Sequence, residues 1–321
     1  LISSKGRGSI LRFSIFNPVT GNLGARMATF QAEPIPGTRS DLGEGTLWDE
    51  RRNIFVWLDV FDGIVKTVDP KSGVVEEFPF PSMVTYVGKH EDGGYILALG
   101  DALAITDENF EVRKNIPLGL DIQVVRTNDG NIDSNGNLWI GGAEKVVNSA
   151  TGELFKIDNR FNKSIHRKGI HIANGIDWSL DGRIMYYIDS ATREISRYEF
   201  NPVNSEIIKE LAPIDTKDVV GLPDGMCTDS DGNIWVAFYG SGQVINYSPE
   251  GDVLNTVQVP TALATCASFG GEDLHTLFIT SVKDYRSPEF AFNPDEDSFG
   301  GMCFQVTLPI HGKLDNNFET S

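Results

Sequence analysis

The stretch Asp133-Ser134-Asn135-Gly136-Asn137-Leu138-Trp139-Ile140 couples a polar, glycine-bearing turn to a short apolar strand. Asn-Gly and Asp-Gly supply the positive φ angles that tight hairpin turns require. The unit recurs along the chain. Glu91-Asp92-Gly93-Gly94 leads into Tyr95-Ile96-Leu97-Ala98, Asp181-Gly182-Arg183 into Ile184-Met185-Tyr186-Tyr187-Ile188, and Asp231-Gly232-Asn233 into Ile234-Trp235-Val236-Ala237. Ile54-Phe55-Val56-Trp57-Leu58 and Leu277-Phe278-Ile279-Thr280 complete a set of six apolar strands, which we take as the inner strands of a repeat.

A second motif follows several of them. Gly63–Pro70, Glu194–Pro202 and Gly242–Pro249 alternate apolar and polar residues, as half-buried strands do. Successive apolar strands lie about 40 to 50 residues apart, the length of one four-stranded propeller blade. Six copies predict an all-β, six-bladed β-propeller of four-stranded antiparallel blades, with residues 1–321 forming a single domain. A β-sandwich would not repeat at this spacing, and no helical period competes. Ile10–Pro18 and Cys303–Pro309 resemble the third-strand motif, so the two chain ends are expected to pair and close the ring, leaving no free edge. Residues 1–30 read as an N-terminal extension or closing strand.

The 321 residues carry a formal net charge of −18. That balance argues against nucleic acid, which needs a basic footprint, and against anionic membrane surfaces. The three cysteines, Cys227, Cys266 and Cys303, form no CxxC pair, which disfavours a disulfide framework or a structural zinc site and suits a reducing, cytoplasmic compartment. No apolar run is long enough to span a bilayer, and no signal peptide is expected in Leu1–Gly8. The expected state is a monomer or weak homodimer acting on a small molecule.

Four segments depart from the repeat toward polar chemistry. Asp41–Asp49 sets Glu44 between two glycines ahead of an aromatic strand. Val125–Gly130 gathers Arg126, Asn128 and Asp129; Arg brings a planar donor fork and Asn both a donor and an acceptor. Ile172–Ser179 carries Asn174-Gly175, by itself a hairpin signal, and Gly221–Asp229 carries Pro223-Asp224-Gly225, by itself an ordinary turn. Each enters a blade at a comparable phase, so all four should face one end of the channel. Two carboxylates and an amide oxygen then converge as hard ligands suited to Ca²⁺, Mg²⁺ or Mn²⁺. The chain has no Gly-x-Ser-x-Gly elbow, and its five histidines are scattered; His171, near Asn174, reads as a surface or core residue.

At these residues the sequence resembles the SMP-30/gluconolactonase (regucalcin) family. The matching segments are Gly43–Trp48, Arg126–Gly130, Asn174–Ser179 and Gly221–Cys227, with Ile184–Ser190 and Phe269–Gly271 in support. The resemblance spans about residues 40 to 310 and implies the same six-bladed fold. It implies that Glu44, Asn174 and Asp224 hold one divalent cation, Ca²⁺ first, with Mg²⁺, Mn²⁺, Zn²⁺ or Fe²⁺ as alternatives. It further implies that Arg126 and Asn128 contact a sugar lactone and that Asp224 is the general base. A further family substrate contact, a Glu, falls near Gly141–Lys145, where the pattern departs; Glu144 is its candidate. The implied reaction is hydrolysis of an aldonolactone to the aldonic acid. The competing readings are another metal-dependent esterase or phosphotriesterase, a luciferin-regenerating-type enzyme, and a non-enzymatic Ca²⁺-binding propeller.

Overall fold

A computed structural model describes residues 27–145, 149–283 and 297–321. Strands β1 (Ala28–Gln31) and β2 (Glu33–Pro34) precede the first blade, β3 (Gly43–Asp49), β4 (Ile54–Asp59), β5 (Ile64–Val68) and β6 (Val75–Pro79). Blade two is β7 (Tyr86–His90), β8 (Tyr95–Ala98), β9 (Ala102–Thr106) and β10 (Val112–Pro117). Blade three is β11 (Val125–Ile132), β12 (Leu138–Glu144), β13 (Gly152–Ile157) and β14 (Lys163–Ile170), and blade four is β15 (Ala173–Trp178), β16 (Ile184–Asp189), β17 (Glu194–Asn201) and β18 (Glu206–Asp215). Blade five is β19 (Leu222–Thr228), β20 (Ile234–Tyr239), β21 (Gln243–Tyr247) and β22 (Val253–Gln258). The sixth blade is β23 (Ala264–Gly270), β24 (Thr276–Ser281) and β25 (Phe304–Thr307), completed by β2 as its outer strand; a last strand, β26 (Asn317–Phe318), follows.

The protein is therefore an all-β, six-bladed propeller, as the repeat predicts. Its apolar core is divided into six clusters, one between each pair of neighbouring blades. The cluster joining the sixth blade to the first stacks Phe278 on Phe55 at a ring separation of 4.4 Å. Glu33 and Pro34 pair with Gln305 and Phe304, so chain from near the two ends shares one blade and the ring closes. The closing partner is thus Glu33-Pro34; Ile10–Pro18 lies outside the described residues. Cys303–Pro309 contributes the third strand of the last blade, as its pattern predicts.

One expectation needs correction. The six apolar runs are the second strands of their blades, not the innermost ones. They read as uninterrupted apolar stretches because each packs against neighbouring blades on both faces. Phe55, Val56, Trp57 and Leu58 are all fully buried, as are Leu138, Trp139 and Ile140. The innermost strands β3, β7, β11, β15, β19 and β23 line the channel and are compositionally mixed. The quoted turns hold the bottom of the blades. Asp133 Oδ1 accepts the Asn135 and Asn137 amides while its Oδ2 accepts Trp139 Nε1 at 2.9 Å. Asp229 repeats the arrangement with Trp235 Nε1, also at 2.9 Å.

After β25 the chain crosses the bottom face and closes the channel. Ser230 N donates to His311 O and Gly312 N to Leu274 O. Lys313 Nζ then reaches Asp177 Oδ1 at 2.6 Å, and Asn316 Nδ2 reaches Ile132 O at 2.9 Å. β26 pairs in parallel with the innermost strand β7, and Glu319 N donates to Gly136 O. One short segment thus ties five of the six blades together beneath the channel. Its apolar anchor is Phe318, fully buried against Ile132, Leu138 and Phe161. Phe318→Ala should lower the free energy of unfolding by about 3 kcal/mol, the cost of a large cavity in a core. Equilibrium urea unfolding checks this; a loss under about 1 kcal/mol would show that the tail is not anchored there.

Candidate active site

Five of the six innermost strands carry the same defect. Pairing with the second strand shifts between Glu44 and Leu47, Thr127 and Gly130, Ala173 and Ile176, Pro223 and Met226, and Ala264 and Ala267. In each case three steps along the inner strand match two along its partner, a β-bulge with one extra residue. β7 pairs without a shift. Asn128, Asn174 and Asp224 each occupy the first bulged position, and Glu44 immediately precedes its own bulge. The bulge is what turns these side chains into the channel near its top. Asn174-Gly175 and Asp224-Gly225 are therefore bulges within strands, not turns.

The glycines at the second bulged position let the strands crowd. A Cβ on Gly175 would lie 2.9 Å from Asp224 O, and one on Gly225 would lie 2.8 Å from Cys266 Cα. The loops feeding the bulges are fixed by carboxylates at the ends of second strands. Asp59 accepts the amides of Asp41 and Leu42, and Asp189 those of His171 and Ile172.

A small cavity of about 30 Å³ is lined by Leu42, Glu44, Val60, Thr85, Asn128, Asp129 and Asn174. A chain of hydrogen bonds runs beside it. Arg126 donates to Asn128 Oδ1 at 2.6 Å and to Thr127 O at 2.9 Å. Asn128 Nδ2 donates to Ala173 O at 2.7 Å and to Asn174 Oδ1 at 3.1 Å. Asn174 Nδ2 donates to Ser190 Oγ at 2.8 Å, and Ser190 Oγ to Pro223 O at 2.7 Å. This order fixes both amides: Asn174 spends its NH₂ on Ser190 and keeps its oxygen on the side of Asn128.

Asp224 is buried within electrostatic reach of Glu44 and Asp129, and its Oδ1 has no hydrogen-bond partner. Burial first, then the neighbouring charge of Asp129, pushes the Glu44 carboxyl up to about 8, against the pull of the Gly45 amide and Arg126. Burial, then Glu44 and Asp129, holds Asp224 well above the ordinary carboxylate range. Burial alone lifts Asp129 to about 6, despite the hydrogen bond it accepts from Gly130 N.

The sequence-derived residues thus fall in two groups. Glu44, Asn128 and Asn174 share the cavity, with Asp224 and Arg126 beside it. Glu144 closes β12 and its carboxylate is engaged elsewhere, accepting from Ser149 Oγ and the Ala150 amide and contacting His171 Nδ1 at 3.2 Å. Two residues escaped the motif reading. Asp129 stands in the polar cluster with Arg126 and Asn128 but receives no role from the motif, whereas it lines both this cavity and a second one in the channel. Ser190 had no local signal beyond the resemblance of its strand.

Among the described residues no three His, Cys, Asp or Glu side chains form a metal-ligand group. A cation here would draw on two carboxylates and the Asn174 amide oxygen, with water or substrate completing its shell. The donor chemistry fits such a group: hard oxygens, an unpartnered buried carboxylate oxygen, and carboxylates whose charges raise one another's pKa despite Arg126.

A family profile described as the SMP-30/gluconolactonase/LRE-like region matches residues 42–283. The chain belongs to this family. Among curated relatives it is 31% identical to the 6-deoxy-6-sulfogluconolactonase of Pseudomonas putida over 257 residues, covering 78% of this chain and 86% of that one. It is 29% identical to regucalcin of Gallus gallus over 288 residues, covering 88% and 95%. Among solved structures, a luciferin-regenerating enzyme superposes with a TM-score of 0.83 at 25% identity, covering 90% of this chain and 99% of that one. The matched region contains the bulged strands that carry Glu44, Asn128, Asn174 and Asp224 in this member of the family. No described helix is long and apolar enough to cross a membrane.

Because the folded-state pKa of Glu44 and of Asp224 lies above the unfolded value, their contribution to stability is present at low pH and lost as pH rises. Metal-free protein should lose stability from about pH 4 up through the Glu44 value of about 8. Asp224→Asn removes one of the repelling charges and should flatten that decline, raising the melting temperature at pH 8 in chelator. Thermal unfolding across pH tests this; a variant that melts below the parent at pH 8 contradicts it.

Proposed function

We propose that the protein hydrolyses a sugar lactone to the corresponding aldonic acid, assisted by one divalent cation held by Glu44, Asn174 and Asp224. The single observation that carries this reading is the unpartnered carboxylate oxygen of Asp224, buried beside Glu44 and in the strand next to Asn174. A buried, unsatisfied carboxylate is costly unless something of opposite charge accompanies it. Membership of a family with a lactonase relative at 31% identity supports the choice of reaction. Ca²⁺ is the preferred ion for an all-oxygen set, with Mg²⁺ or Mn²⁺ next.

When bound, such a cation acts as a Lewis acid on the lactone carbonyl and lowers the pKa of water. The chain's own residues do the rest. Arg126 and Asn128 hold ring hydroxyls and so fix the approach of the carbonyl. Asp224 accepts a proton from the attacking water as the new C–O bond forms. That proton returns to the ring oxygen as the ester C–O bond breaks, which yields the hydroxy acid. Ser190 holds the Asn174 amide so that its oxygen, rather than its NH₂, is presented.

Asp224→Ala and Glu44→Ala should each lower kcat/KM on γ- or δ-aldonolactones by about a thousandfold while the propeller stays folded. Initial rates across Ca²⁺, Mg²⁺, Mn²⁺ and Zn²⁺, with aryl esters and phosphotriesters as comparison substrates, provide the test. Full activity in either variant, or after complete chelation, refutes the reading. Ser190→Ala should weaken Ca²⁺ or Mn²⁺ binding about tenfold by calorimetry, as loss of a residue supporting a ligand does.

A further inference from the structure

The cavity lining is chemically mixed. Asn128 and Asn174 bring amide groups, with the Arg126 guanidinium bonded to Asn128, whereas Leu42 and Val60 bring methyl groups. Phe61 adds an exposed aromatic ring beside Arg126. It follows Val60 directly, is 53% exposed, and its ring lies 6.0 Å from the Arg126 guanidinium carbon. It is not loosely attached. Val60 N donates to Leu42 O, while Gly63 N and Val84 N both donate to Val60 O. Gly63, at φ +65°, closes this turn so tightly that a Cβ would lie 2.2 Å from Ser82 O. Two further exposed apolar residues stand on loops that feed the site: Ile172, two residues before Asn174, and Val220, four before Asp224.

A cyclic ester matches this division. A lactone ring carries hydroxyls at its edges and C–H groups on its faces, and an aromatic face packs well on saturated carbon. We infer that Phe61 is a substrate-positioning residue, its ring covering the C–H face of the lactone while Arg126 and Asn128 hold the hydroxylated edge. This rests on the lactonase reading and adds to it a preference for closed rings with one face free of bulky polar substituents. Val60 and Leu42 form the continuation of that contact toward the carbonyl.

Steady-state kinetics of the full chain with D-glucono-1,5-lactone and a divalent cation test the assignment. Phe61→Ala should raise KM about three- to tenfold, the value of one aromatic contact, and leave kcat within about twofold. Phe61→Tyr, which keeps the ring, should restore KM. Melting temperature and Ca²⁺ affinity should match the parent in both variants, since the side chain is exposed and its ring contact with Arg126 involves no candidate metal ligand. An unchanged KM in Phe61→Ala, or a fall in kcat at constant KM, overturns the role of Phe61 and leaves the lactonase reading standing. A parent protein that hydrolyses no lactone with any divalent cation overturns both.

Discussion

Three carboxylates, buried Asp224 and half-buried Glu44 and Asp129, lie within reach of one another's charge near the top of a narrow channel, and the rest of the structure answers to that constraint. Left to themselves, such groups hold protons or move apart. Here they cannot separate, because each sits on an innermost strand locked into its own blade. Arg126 is the cationic group whose charge eases Glu44, and it divides its donors between Asn128 and the Thr127 carbonyl. The site therefore concentrates unfavourable electrostatics on Glu44 and Asp224. On the function proposed above, affinity for a cation and instability without it would be two expressions of that arrangement.

Holding that arrangement requires a stiff frame, and the frame is assembled from repeated small devices. Bulges aim the side chains, glycines at 175 and 225 allow neighbouring strands to crowd, and Asp59 and Asp189 clamp the loops above. Below, the C-terminal segment places Asp315 and Asn316 against the channel cavity, which holds about 40 Å³. At the opposite end of the channel stand the exposed side chains of Phe61, Ile172 and Val220. The chain ends thus do separate jobs: β2 closes the ring of blades, and the tail closes its axis.

How much of this was legible beforehand depended on whether a residue's role was local. Asp133 and Asp229 do nearly all their bonding within six residues, and the turn-plus-strand unit that they head announced six blades. Glu44, Arg126, Asn128, Asn174 and Asp224 stood out because polar residues interrupt strand patterns at matching phases. Asp129 stood in the same polar cluster without a role, because its place at two cavities depends on the bulge between Thr127 and Gly130. Ser190 was invisible for a different reason: its partners, Asn174 and Pro223, lie 16 and 33 residues away on neighbouring strands.

The chain's order of residues, taken alone, determined the blade count, the strand-rich class and the identity of the polar interruptions, since hairpin turns and alternation act over a handful of residues. Tertiary structure decided which strand of each blade faces the axis, because complete burial comes from packing between blades and marks the second strand rather than the first. It also decided the mutual charge burden of Glu44, Asp129 and Asp224, the engagement of Glu144 away from the cavity, and the path of the tail. Those depend on through-space distances between segments remote in sequence, and only closure of the ring sets them.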